Sequence, residues 1–115
     1  MKTGTVQLNN ASAHIGYPQV IPPNKRGHSR EITELFVPET HRGKGEATAL
    51  LESICEQADQ DQILLILMAD TEKLESFYKR FDFVTIQREN AILMARQPIR
   101  REAVGAMNER QTINS

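Results

Sequence analysis

The run Arg42-Gly43-Lys44-Gly45-Glu46-Ala47 concentrates the chemistry-bearing residues of this 115-residue chain. Glycines at 43 and 45 let the backbone turn sharply and let a ligand approach main-chain N–H groups with no side chain in between. Before the run, Arg30-Glu31-Ile32-Thr33-Glu34-Leu35-Phe36-Val37 reads as a strand. Pro38 stops it, because proline cannot donate to a ladder and keeps its predecessor out of the helical region. After it, Ala47, Leu50, Leu51, Ile54, Cys55 and Ala58 recur at spacings of three and four, which marks one face of a helix over Glu46–Gln60. Such a helix start aims unpaired N–H donors and the positive end of a dipole at one point, a place that suits phosphate or pyrophosphate. Arg42 and Lys44 add positive charge, whereas Glu39 and Glu46 oppose it unless their carboxylates point away. A plain strand-to-helix connection would use the same glycines, and the pattern alone leaves both readings open. Walker A is excluded, since neither glycine stands in its G-x-x-x-x-G-K-[ST] frame. The dinucleotide fingerprint fails as well, because it needs glycine where Thr48 stands and a longer doubly wound domain.

Two further polar side chains are placed by the pattern of their elements. Glu31 alternates along its strand with Thr33, Leu35 and Val37 and shares their face, while Glu34 points the other way. Tyr78 falls on an apolar stripe with Leu74, Phe77 and Phe81, which reads as a core aromatic whose hydroxyl still needs a partner. For Glu31 the plain alternative is a solvated carboxylate near a strand end. His14, His28 and His41 have no spacing that builds a metal site on one helix or hairpin, so no metal is expected. Cys55 sits on the apolar side of its helix and reads as packing. Lys25, Arg26 and Arg30 form the one local basic patch, for which a solvated loop is the default.

The elements that must hold these groups follow from period and punctuation. Thr5–Leu8 and Ala11–Ile15, separated by Asn9-Asn10, form a hairpin. Gly16–Ser29 is rich in proline and reads as a loop with a brief strand at Gln19–Ile21. Ile63–Ala69 is apolar without alternation, the pattern of a strand buried on both faces of a parallel sheet, so strand, helix and strand make a βαβ unit. Asp70 or Thr71 caps a second helix, which is followed by strands Phe83–Ile86 and Ala91–Ala95 joined at Arg88-Glu89-Asn90. Residues 1–98 are expected to form a single domain. Residues 99–115 are expected to form a polar, mobile tail.

Composition bounds the function. Hydrophobic residues at 39% and charged residues at 25% fit an ordinary globular domain. A formal net charge of −1 gives no surplus for nucleic-acid binding, so no nucleic-acid partner is expected. The single cysteine rules out an internal disulfide. The longest apolar run is far below the roughly 18 residues of a membrane span, and Met1–Asn10 lacks the apolar core of a signal peptide. A cytoplasmic protein with no membrane partner is therefore expected.

The ordered motifs resemble the GNAT superfamily of acyl-CoA-dependent N-acyltransferases over about Ile32 to Arg96. Arg42-Gly43-Lys44-Gly45-Glu46-Ala47 meets its [RQ]-x-x-G-x-[GA] signature, and Leu35-Phe36-Val37-Pro38-Glu39 is similar to its L-x-V-x-P-E strand end. Ala58-Asp59, the Phe77–Phe83 run against Y-x-x-x-G-F, and Met94-Ala95-Arg96 follow in order. The resemblance implies an α/β fold: a mixed, mostly antiparallel sheet around the βαβ unit, with a V-shaped split between two parallel strands and helices on the faces. It also implies acetyl-CoA as co-substrate. Backbone N–H groups of Arg42, Gly43, Lys44, Gly45, Glu46, Ala47 and Thr48 would hold its pyrophosphate. Main-chain groups of Leu35, Phe36 and Val37, together with Thr71, would hold its arm.

By the same resemblance an amine attacks the thioester directly, with no metal and no covalent enzyme intermediate. Tyr78 matches the residue that protonates the leaving sulfur in many members, and Glu31, eleven positions before Arg42, has the spacing of a catalytic glutamate in some histone-type members. Thr71 departs from an asparagine often found there, and Asp82 from the usual glycine. With Met1–Ser29 before the strand that ends at Val37, the two helices that commonly wall the acceptor site are expected to be missing. The expected acceptor is a protein lysine, a protein N-terminus or a small amine, and a homodimer is a further expectation because the family often dimerises. A non-catalytic CoA-binding or interaction module on the same fold is the alternative.

Overall fold

The computed structural model describes residues 1–19 and 27–100. Six strands form one mixed sheet in the order β1-β2-β3-β4-β6-β5. They are β1 (Gly4–Leu8), β2 (Ala11–Gly16), β3 (Ser29–Phe36), β4 (Leu64–Ala69), β5 (Val84–Gln87) and β6 (Ile92–Arg96). Two helices, α1 (Glu46–Asp61) and α2 (Glu72–Lys79), complete the fold. The expected hairpin is β1–β2, with Leu8 opposite Ala11 across a turn that puts Asn9 at φ 57°. Of the brief strand expected at Gln19–Ile21, residues 20 and 21 lie outside the described residues, as do Lys25 and Arg26 of the basic patch and most of the expected tail.

β3 and β4 are the only parallel neighbours among these strands, and they pair only from Ser29 to Glu31 against Leu64 to Ile66. Beyond that point they separate, which opens the V-shaped split. Two features of β3 take it away from β4. Its pairing with β2 slips by one residue between Ser12 and His14, and Glu34 occupies the left-handed region at φ 54°. The slip is a bulge, which bends a strand and re-aims its side chains.

Both helices feed one buried cluster. Leu50, Leu51, Ile54, Cys55 and Ala58 of α1 meet Tyr78 of α2 there, over Leu65, Leu67 and Ala69 of β4 and Met94 of β6. Ile66 and Leu93 are buried but do not belong to it, as strand alternation requires. Cys55 is a packing residue, as its position on α1 suggests. Phe81 and Phe83 join the same cluster after α2 ends, with Phe77 and Phe81 edge to face at 5.2 Å between ring centres. Between them Asp82 takes φ 72°, so the place where the family pattern has glycine keeps a left-handed backbone here, one that aspartate tolerates better than most residues.

The far end of α1 is fixed by a buried ion pair. Arg96 Nη1 and Nη2 donate to Asp59 Oδ1 and Oδ2 at 2.7 and 3.1 Å, Arg96 Nε donates to the Phe81 carbonyl at 2.8 Å, and the Ile99 N–H donates to Asp59 Oδ1 at 2.9 Å. Burial works against the Arg96 charge, but the hydrogen bond and charge of Asp59 outweigh it and raise the guanidinium above its ordinary value. One interaction thus ties α1, β6 and the residues after α2 together.

Candidate active site

The glycine run becomes a loop that turns from β3 into α1. Pro38 starts a short 3-10 turn over Glu39–His41, and Gly43 and Gly45 then take φ 80° and 79°. Only glycine holds that conformation at little cost, and a Cβ at either position would meet nothing within 4 Å, so space lies open above both. Gly45 is the N-cap of α1 and brings no side chain to it. The Ala49 N–H to Gly45 carbonyl bond at 3.0 Å begins the helix, leaving the N–H groups of Glu46, Ala47 and Thr48 without an intrahelical partner. A cavity of about 220 Å³ sits at this point, lined by Val37, His41, Arg42, the two glycines, Glu46, Ala47, Thr48 and Phe77. Open space, free N–H donors and a helix start fit a pyrophosphate.

Arg42 enters this site differently from its neighbours. Its N–H is taken by the Glu39 carbonyl at 3.3 Å, and its Nε donates to the Val37 carbonyl at 2.9 Å. Its guanidinium therefore stays over the end of β3, 6.0 Å from the Phe36 ring centre. Phe36 is exposed, and Lys44 lies outside the cavity lining. The Glu46 carboxylate is held by Asn10 of the β1–β2 turn: Oε1 accepts from the Asn10 N–H at 2.8 Å and Oε2 from Asn10 Nδ2 at 3.3 Å. These bonds to Asn10 hold its carboxyl below the ordinary glutamate value of 4.5, against a smaller opposing effect of burial.

A second cavity of about 330 Å³ occupies the split. Glu31, Thr33 and Leu35 of β3, Met68 of β4, Asp70 just beyond it, and Leu74 and Tyr78 of α2 are among its lining. Glu31 and Tyr78, far apart in sequence, are thus brought to one space. Tyr78 is 6% exposed, and its hydroxyl has no hydrogen-bond partner among the described residues. Burial, with the Asp70 charge beside it, pushes that hydroxyl above its ordinary value of 10.0, so it stays protonated in neutral solution. Thr71 caps α2, its Oγ1 accepting from the Leu74 N–H at 3.1 Å. The sequence offers Asp70 only as a helix cap. Its place directly after an apolar strand is the signal that could have put it at the rim of the split.

A sheet that parts between two parallel strands, with a glycine loop and a helix start following the strand that leaves, defines the acyl-CoA N-acyltransferase type of fold. The chain belongs to the GNAT acetyltransferase family, whose acetyltransferase (GNAT) domain model matches residues 5–92. Solved structures share the fold. Ard1 from Thermoplasma volcanium aligns at 18% identity and a TM-score of 0.60, over 77% of this chain and 63% of that one. N-acetylglutamate synthase from Neisseria gonorrhoeae, complexed with coenzyme A and L-arginine, aligns at 16% and 0.60 over 77% of this chain and 22% of that one. The Bacillus subtilis N-acetyltransferase YlbP, in complex with coenzyme A, aligns at 14% and 0.56 over 76% and 60%. This chain therefore spans less than two thirds of each. No curated protein matches the sequence. Among the described residues no helix is long and apolar enough to cross a membrane, and no group of three or more His, Cys, Asp and Glu side chains could hold a metal ion.

Proposed function

We propose that this protein is an N-acetyltransferase that moves an acetyl group from acetyl-CoA to a primary amine by direct attack while both are bound. The observation that carries this reading is that Glu31 and Tyr78 line one cavity in the split, with the glycine loop at the end of the same strand β3. Acetyl-CoA supplies the acyl group as a thioester. The N–H groups of Glu46, Ala47 and Thr48 bind the pyrophosphate, and the Arg42 guanidinium adds a positive charge. Leu35, Phe36 and Val37 offer main-chain groups to the arm, because β3 has left β4 by that point and its edge is unpaired.

Tyr78 donates a proton to the departing sulfur. A hydroxyl that is protonated, without a hydrogen-bond partner among the described residues, and on a residue lining the cavity suits that task. Glu31, half-buried in the same cavity, takes the proton from the incoming amine directly or through water. The Thr71 hydroxyl accepts from the Leu74 N–H as the cap of α2 and still carries its own proton, which it donates to the coenzyme arm. The acceptor is a protein lysine, a protein N-terminus or a small amine, and the compartment is the cytoplasm. Thermal stabilisation by acetyl-CoA tests coenzyme binding. Loss of turnover with retained binding in Tyr78→Phe tests the acid.

A further inference from the structure

Glu46 poses a problem that the acetyltransferase reading does not solve. It is a carboxylate at the first position of α1, in the lining of the cavity that would receive a pyrophosphate. A negative charge free to swing over the helix start would repel a bound polyanion and compete with it for the same N–H donors. The side chain is instead held. Both carboxylate oxygens accept from Asn10, at 2.8 Å from its main-chain N–H and 3.3 Å from its side-chain amide. Only 12% of the Glu46 side chain remains exposed. His41, also in the cavity lining, closes the group: its Nδ1 lies 3.0 Å from Asn10 Nδ2 and 3.6 Å from Glu46 Oε2. Asn10 can do this because it sits in the β1–β2 turn, where the hairpin no longer uses its N–H for pairing. The turn belongs to a sequence region 36 residues from Glu46.

We propose that Asn10 is a positioning residue for the coenzyme loop: it ties the Glu46 carboxylate to the β1–β2 turn and thereby keeps a negative charge off the anion site. The inference rests on the proposed coenzyme-binding role of the loop and deepens it. Asn10 touches neither coenzyme nor acceptor. It acts through Glu46: loss of its side chain removes the amide bond to Oε2 and the contact with His41, and leaves the carboxylate with the main-chain N–H bond to Oε1 and a freer second oxygen.

The test is direct binding of coenzyme A, by titration calorimetry, to four proteins: wild type, Asn10→Ala, Glu46→Gln, and the double variant. Asn10→Ala keeps the main-chain N–H bond to Oε1 and loses only the amide bond to Oε2, so it should weaken binding by roughly two- to threefold, part of the effect of one unit charge a few ångströms from an anion. The loss should shrink as salt is raised from about 0.05 to about 0.5 M, because screening acts on charges and not on packing. The double variant should bind more tightly than Asn10→Ala, recovering most of the loss, since the charge that Asn10 restrains is gone. Glu56→Gln removes the same charge about 15 Å further along α1 and should give no such recovery in the Asn10→Ala background. A double variant as weak as Asn10→Ala, or an Asn10→Ala protein that binds like wild type, overturns the proposal while leaving coenzyme binding intact. Failure of the wild type to bind coenzyme A overturns the acetyltransferase reading and this inference with it.

Discussion

Tyr78 and Arg96 are both buried polar side chains, and their partners separate their roles. Each guanidinium nitrogen of Arg96 donates a hydrogen bond, to Asp59 or to the Phe81 carbonyl, and the side chain serves the fold. The Tyr78 hydroxyl has no hydrogen-bond partner among the described residues, and Tyr78 lines a cavity, an arrangement that suits the proposed proton donor. Tyr78→Phe should lower kcat by about 100-fold or more while changing KM for acetyl-CoA little, the range general acids contribute; steady-state kinetics with a fixed amine would read both. Asp59→Asn should leave the Arg96 charge buried without its counterion and cost about 3–5 kcal/mol, measurable by urea denaturation. Replacing both by apolar residues of similar volume should recover most of that loss. Asp59 and Arg96 each stood out in the sequence as motif positions, but nothing in it paired them. The contact spans 37 residues and depends on how α1 crosses β6. The Asn10–Glu46 contact was hidden for the same reason.

At the scale of elements, local signals were strong and long-range geometry was silent. Hydrophobic period located α1, α2 and the strands to within about two residues, because each buries one face or stripe that has to recur at its own period. The bulge in β3 was invisible. Strict alternation across Glu31, Thr33, Leu35 and Val37 predicts an unbroken strand, whereas the left-handed Glu34 interrupts it and carries the strand away from β4. Gly45→Ala forces a side chain onto φ 79° with no clash to add, so it should cost about 1 kcal/mol of stability in denaturant unfolding. The packing of α2 on the sheet carries a pH signature. Glu75 is 4% exposed and accepts from Thr85 and Arg88, with Lys79 3.8 Å away. The Thr85 hydrogen bond, followed by Arg88, holds its carboxyl below the ordinary 4.5 despite burial. A depressed folded value means this stabilisation is present above about pH 4.5 and is lost as pH falls through the lower folded value. Melting temperature against pH should therefore fall less steeply below pH 4.5 in Glu75→Gln than in wild type.

At the scale of the whole molecule, the two sites sit at opposite ends of one departure. β3 pairs with β4 for three residues, leaves it, and ends in the loop that starts α1. Leaving β4 frees an edge and opens the cavity that Glu31 and Tyr78 share, and the two glycines after β3 turn the chain into α1 beside the other cavity. Coenzyme A at a hundredfold excess over its dissociation constant should stabilise the protein by about 2.7 kcal/mol, seen as a rise in melting temperature. The most direct test of the catalytic proposal is thiol release from acetyl-CoA followed in the presence of a lysine peptide, a peptide with a free N-terminus and a small amine. Release that depends on at least one of these amines, and that Tyr78→Phe cuts by about 100-fold, is the expected result. Release no faster than the uncatalysed rate with every amine, from a protein that coenzyme A still stabilises, would contradict it and leave a binding module on the same fold.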